Sequence, residues 1–252
     1  MKKIYLLPNM VTTANLLSGF LSMTYSINGE YTKACWFIVI GAICDSLDGR
    51  IARMIRATSP FGVQYDSLSD LISFGTAPAV LLFCFALRTV DPVGPSVAAL
   101  YVICAALRLA RFNVGVEDPT PAQLKKIRRG YFQGLPSPAS AGLILTAVLI
   151  QHTFQPLSEG AAKYVLIALC ALLGYLMISS IPFPSFKDMN MKTKGKAWML
   201  FIPVAIILFG IQAPEWTLFA IGYTYLVGAL CWAGYLLFRD KKQVGVGIET
   251  HA

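Results

Sequence analysis

"DSLDGRIARMIRATSPFGVQYDSLSD", residues 45–70, sets four aspartates (Asp45, Asp48, Asp66, Asp70) and three arginines (Arg50, Arg53, Arg56) between long apolar runs. The chain around this stretch has 252 residues, 56% hydrophobic and 13% charged. Its apolar residues fall in runs of about twenty, the length of a bilayer-spanning helix, without the amphipathic striping of a soluble bundle. The reading is an all-α, polytopic membrane protein. An ionisable side chain at membrane depth costs at least about 2.5–3.5 kcal/mol, so four carboxylates at the ends of two spans need a shared partner.

Eight spans are expected, at 10–28, 33–55, 63–88, 95–114, 136–155, 162–182, 197–212 and 216–238. Alternating them sorts 18 of the 21 lysines and arginines onto one side and leaves Lys33, Arg88 and Lys163 on the other. Basic residues near span ends favour the cytoplasm, which places both termini and the 45–70 turn there. The expected organisation is one integral membrane catalytic domain over 1–240 and a disordered cytoplasmic tail over 241–252. The short basic start "MKK" runs into a full-length span with no small-residue cleavage site, so the first helix is expected to stay. The connection at 115–135 reads as a cytoplasmic loop or surface helix.

The net charge of +8 reads as topology and contact with anionic lipid headgroups, with no nucleic acid as partner. Six cysteines are scattered singly, with no CxxC and no neighbouring histidine, and read as small core residues. His152 and His251 have no sequence neighbours that would make a site.

Asp45 and Asp48 are three apart, Asp66 and Asp70 four apart, so each pair lines one face of its helix. The turn "RATSP" (56–60) reverses the chain between them and makes the two spans antiparallel. Four carboxylates then converge, and an all-oxygen shell without histidine or cysteine suits hard divalent ions such as Mg²⁺ or Mn²⁺, two of them for four acids. Helix capping, or an ion-pair network with Arg50, Arg53 and Arg56, is the bland alternative. Gly49, Ala52 and Gly62 beside the acids leave room for close helix approach and a ligand.

Written D45-x2-D48-G49-x2-A52-R53-x8-G62-x3-D66-x3-D70, the stretch resembles the full signature of the CDP-alcohol phosphotransferase family. The resemblance implies a six-helix catalytic core within the bundle, a homodimer, and transfer of a phosphoalcohol from a CDP-linked donor to a hydroxyl, with release of CMP. It also implies that Asp45 and Asp66 bridge two metals, Asp48 completes one site, and Asp70 completes the other while accepting the proton of the attacking hydroxyl. Gly49, Arg53 and Ser59 would contact the donor. The start "PNMVTT" (8–13) resembles the family's first helix, where Asn9 and Thr12 would touch the nucleotide.

The acceptor is read elsewhere. "ALRLARFNV" (106–114), "FQGLPSPASAG" (132–142) and "LPNMVTTANLLSGF" (7–20) resemble prokaryotic family members that use CDP-diacylglycerol and L-serine in the inner membrane. Arg108 and Arg111 stand at a span end, where they could bind the serine carboxylate or donor phosphates, or simply mark the cytoplasmic side. Glycerol 3-phosphate or an inositol compound as acceptor is the nearest rival. A cation transporter or channel is the rival of another class.

Overall fold

The computed structural model describes residues 6–55, 59–117, 131–184 and 212–248. Helix α1 (Leu6–Ile27) and α2 (Tyr31–Met54) pack antiparallel across the short turn at Asn28–Glu30. Pro60 opens α3 (Pro60–Asp70) at a position where a missing N–H costs nothing. The same rod continues without a break through a π-helical turn (Leu71–Thr76) into α4 (Ala77–Phe85). A 3-10 turn (Leu87–Thr89) precedes α5 (Val93–Glu117), followed by α6 (Ser137–Phe154) and α7 (Glu159–Ile178). A long α8 spans Pro214–Ile248.

The described residues form two compact units: 6–117 with 135–178, and 131–134 with those from 179 onward. In the first, the buried side chains Leu81, Leu82, Tyr101, Leu143, Ile144 and Leu173 tie α4, α5, α6 and α7 together. All six cysteines are free. Cys35, Cys104 and Cys170 are the buried core residues expected, whereas Cys231 is exposed. In the second unit, β1 (Tyr131–Gln133) pairs antiparallel with β2 (Pro182–Pro184).

Seven of the eight expected spans fall on helices, six of them to within a few residues at both ends. The remaining one, 197–212, lies almost wholly outside the described residues, as does most of the 115–135 connection. Among the described residues, three helical stretches, Pro60–Phe85, Val93–Val114 and Glu159–Ile178, are long and apolar enough to cross a membrane. Two features differ from the sequence reading. The backbone of α8 stays helical to Ile248, into the stretch expected to be disordered, and the span expected to run to 182 stops at Ile178, short of the three-residue ladder that takes Pro182–Pro184.

Candidate active site

The two aspartate pairs meet because α2 and α3 leave and re-enter the same end of the bundle. One carboxylate oxygen from each of Asp45, Asp48 and Asp66 lies within 4.8 Å of the others. Asp70 faces Asp45 from the next turn of α3. Asp48 is buried, at 4% exposure, which is rare for an acid. Arg50 is exposed and makes no ion pair among the described residues, so it supplies no compensating charge.

Helix α1 holds the acids in place. Thr12 Oγ1 donates to Asp48 Oδ2 at 2.8 Å, and Asn15 Nδ2 donates to Asp70 Oδ1 at 3.2 Å. The same two residues are gripped from behind. Ser69 Oγ donates to the Thr12 carbonyl at 3.1 Å and Ser73 Oγ to the Asn15 carbonyl at 2.8 Å. All four hydrogen-bonding residues are buried, where each bond replaces water that cannot reach them. The π turn begins directly after Asp70, and such turns cluster at functional sites because they re-aim side chains within a helix.

Small residues make the approach possible. A Cβ on Gly41 of α2 would lie 3.0 Å from Asn15 Oδ1. A Cβ on Gly62 would meet Ser59 Oγ at 3.2 Å and Asn9 Oδ1 at 3.6 Å, so Asn9, Ser59 and Gly62 gather at one point. Ser59 is the N-cap of α3, its Oγ accepting from Gly62 N at 3.0 Å. Gly49 is half-buried on α2 next to Asp48. The side chain of Arg53 lies outside the described residues.

The two later arginines have definite partners. Arg108 donates through NH1 to Ser137 Oγ at the start of α6. Arg111 donates to the carbonyls of Ile178, at 2.7 Å, and Met177, at 3.3 Å, and so caps the C-terminus of α7. Tyr101 links Ser140 to the Phe74 carbonyl, closing a polar seam from α6 to the π turn. Asn113 and Ser67 are hydrogen-bonded across α5 and α3, one residue from Asp66.

Whether the cluster fits a metal is decided by its donors. Three hard carboxylate oxygens within ligand-sharing distance suit a divalent cation. Asp66 Oδ1 is buried with no hydrogen-bond partner among the described residues, an orphan acceptor of the kind a cation satisfies. The residues therefore fit. Of the residues that hold the acids, sequence reasoning missed Asn15, Ser69 and Ser73. The available signal was the spacing of Asn9, Thr12 and Asn15, three apart and so on one face of the first helix.

An integral membrane bundle with a carboxylate centre of this spacing defines a class. The model of the CDP-alcohol phosphatidyltransferase family matches residues 5–176, and the chain belongs to that family. It is 37% identical over 205 residues to the CDP-diacylglycerol–serine O-phosphatidyltransferase of Helicobacter pylori strain 26695, covering 81% of each chain. It is 34% identical over 181 residues to the enzyme of that name from Bacillus subtilis, covering 72% of this chain and 91% of the relative. The archaetidylserine synthase of Methanothermobacter thermautotrophicus is 37% identical over 192 residues, covering 74% of this chain and 73% of the relative.

Thr12→Val tests the grip of α1 on the acids. The substitution keeps shape and removes the donor to Asp48 Oδ2. Losing such a supporting hydrogen bond typically costs about 10- to 100-fold in metal affinity or activity. The divalent-metal concentration for half-maximal activity is expected to rise by at least about tenfold. Titration of CMP release against Mg²⁺ and Mn²⁺ measures it; an unchanged midpoint would show that Thr12 only packs.

Proposed function

We propose that this chain transfers the phosphatidyl group of CDP-diacylglycerol to the hydroxyl of L-serine, releasing CMP, and so acts as a phosphatidylserine synthase. The observation that carries the reaction is the convergence of Asp45, Asp48 and Asp66 on one point, with Asp70 beside them. Serine as acceptor is supported by the names of the similar proteins.

Asp45, Asp48, Asp66 and Asp70 would hold two divalent cations, Mg²⁺ or Mn²⁺. Bound there, the ions supply positive charge to the pyrophosphate of the donor and to the leaving CMP. The chain's own groups do the rest. Thr12 and Asn15 hold Asp48 and Asp70 so that the acids need no reorganisation when the donor arrives. Asn9, Gly49, Arg53 and Ser59 contact the cytidine diphosphate head, while the acyl chains stay in the bilayer. The serine oxygen forms the new bond to the phosphorus carrying diacylglycerol as the bond from that phosphorus to the CMP oxygen breaks. The hydroxyl proton passes to Asp70. Arg108, beside Ser137, stands near the serine carboxylate or the donor phosphates, while Arg111 serves the fold as the cap of α7. The reading places the centre and both termini at the cytoplasmic side of a prokaryotic inner membrane, in a homodimer.

Purified protein given CDP-diacylglycerol, Mn²⁺ or Mg²⁺, and one alcohol at a time tests the reading. CMP is expected to form fastest with L-serine. Faster release with glycerol 3-phosphate or inositol would replace the acceptor. Cation flux across liposomes without any CMP would replace the whole reading with transport.

A further inference from the structure

At the end of the bundle away from the carboxylates, α4, α6 and α7 line a half-open cavity of about 610 Å³. From Asp70 the helical rod runs 14 residues to Cys84 in the cavity wall, about 20 Å at 1.5 Å per residue. The cavity therefore belongs to the other membrane face, apart from the reaction centre. Its lining includes Arg88, His152, Gln155, Glu159 and Lys163.

The charge count there is unusual. Only Lys33, Arg88 and Lys163 fall on this side of the chain, and two of the three line this one cavity. Lys33 is engaged by Glu30 in an ion pair. Arg88 and Lys163 make no ion pair among the described residues. Glu159, the acid in the lining, lies in the first turn of α7, where the helix dipole stabilises it. The balance of these three groups is one positive charge.

One wall, the α6–α7 turn, is fixed by contacts of its own. Gln151 donates to the Leu157 carbonyl at 2.8 Å and so fixes the α6–α7 turn. His152 stands edge-on to Tyr31 and Phe85, with ring centroids 5.8 and 6.2 Å away. Gln155 adopts φ 46° and ψ 48°, a left-handed conformation that favours glycine, yet the position keeps a hydrogen-bonding side chain in the cavity wall.

We propose that this cavity binds a phosphate group through Arg88 and Lys163, as the headgroup of an anionic phospholipid or as free phosphate. A guanidinium fork takes two phosphate oxygens and an ammonium acts as a point charge beside it. The volume lies within the range of small-ligand sites and takes a headgroup while the chains remain in the bilayer.

The test uses the full chain in detergent, titrated separately with dihexanoyl phosphatidylglycerol and with inorganic phosphate. Binding is followed by calorimetry for the wild type, Arg88→Gln/Lys163→Gln, and Lys33→Gln. The double variant is expected to bind about tenfold more weakly or worse, as for loss of charge-assisted hydrogen bonds, and Lys33→Gln to match the wild type. CMP release retained by the double variant shows that fold and reaction centre are intact. If release is lost, the two single variants that retain it are compared instead. Weakening for the lipid alone, or for both probes, assigns a lipid headgroup; weakening for phosphate alone assigns free phosphate. Equal behaviour of wild type and variant toward both probes overturns the site.

Discussion

Asp66→Asn is expected to lower CMP release by at least about 10³-fold while leaving thermal stability equal to the wild type or higher. The two effects separate because the carboxylates repel one another. One oxygen from each of Asp45, Asp48 and Asp66 lies within 4.8 Å of the others, and Asp66 Oδ1 has no hydrogen-bond partner among the described residues to offset its charge. An amide of the same shape removes one negative charge from a half-buried cluster, so the metal-free fold loses repulsion rather than support. Catalysis runs the other way. A neutral amide is a poor ligand for a hard cation, and stabilisation of transition-state charge at such centres amounts to several kcal/mol, with each 1.36 kcal/mol worth about tenfold in rate. CMP release at saturating metal, set beside a melting curve in the same detergent, reads both quantities. Activity within tenfold of the wild type would show that Asp66 is not part of the catalytic centre. A large fall in stability would show that the acids serve the fold.

The acids were legible because charge is scarce in an apolar chain. With 13 acidic residues in 252, four at helical spacing beside two spans could not be ordinary surface. The helices were legible for a related reason, since a bilayer demands long apolar segments and penalises exposed backbone. The hydroxyl lattice was not. A serine or threonine in an apolar helix usually returns its proton to the carbonyl one turn back. Ser18, Thr24 and Ser26 do this in α1, bonding Ala14, Phe20 and Ser22. Nothing in the letters distinguishes them from Ser69 and Ser73, which reach across to another helix. The π turn was equally silent, because "LISFGT" holds no proline and only one glycine to mark a change of winding. Arg111 shows a further limit. Its place at a span end pointed to topology or to a ligand, while the structure uses it to cap the carbonyls of α7. Position along a chain tells which side of the membrane a guanidinium occupies, but not which carbonyl it finds.

Gly19→Ala is expected to destabilise the protein although alanine is the better helix former. A Cβ on Gly19 would lie 2.6 Å from Ser73 Oγ and 2.8 Å from Ser73 Cα. A hydroxyl can rotate aside, but a backbone carbon cannot, so α1 and the π turn must move apart. Overpacking of this kind costs about 1–3 kcal/mol, against a gain of up to about 1 kcal/mol from replacing glycine in a helix. Gly142 in α6 supplies the control, since nothing lies within 4 Å of its added Cβ and Gly142→Ala should show the gain alone. The Gly19 variant is therefore expected to unfold several degrees below the Gly142 variant in the same detergent. Activity should fall with it, because Ser73 holds the Asn15 carbonyl while the Asn15 side chain donates to Asp70 at 3.2 Å. Separating the helices lengthens that link and frees the group proposed to take the serine proton. Ser73→Ala added to Gly19→Ala should not restore either property: it removes the contact at 2.6 Å and leaves the one at 2.8 Å. Recovery in the double variant would place the strain in the hydroxyl and clear the backbone. Equal melting of the Gly19 and Gly142 variants would mean that the two helices have slack at the crossing that carries Asp70.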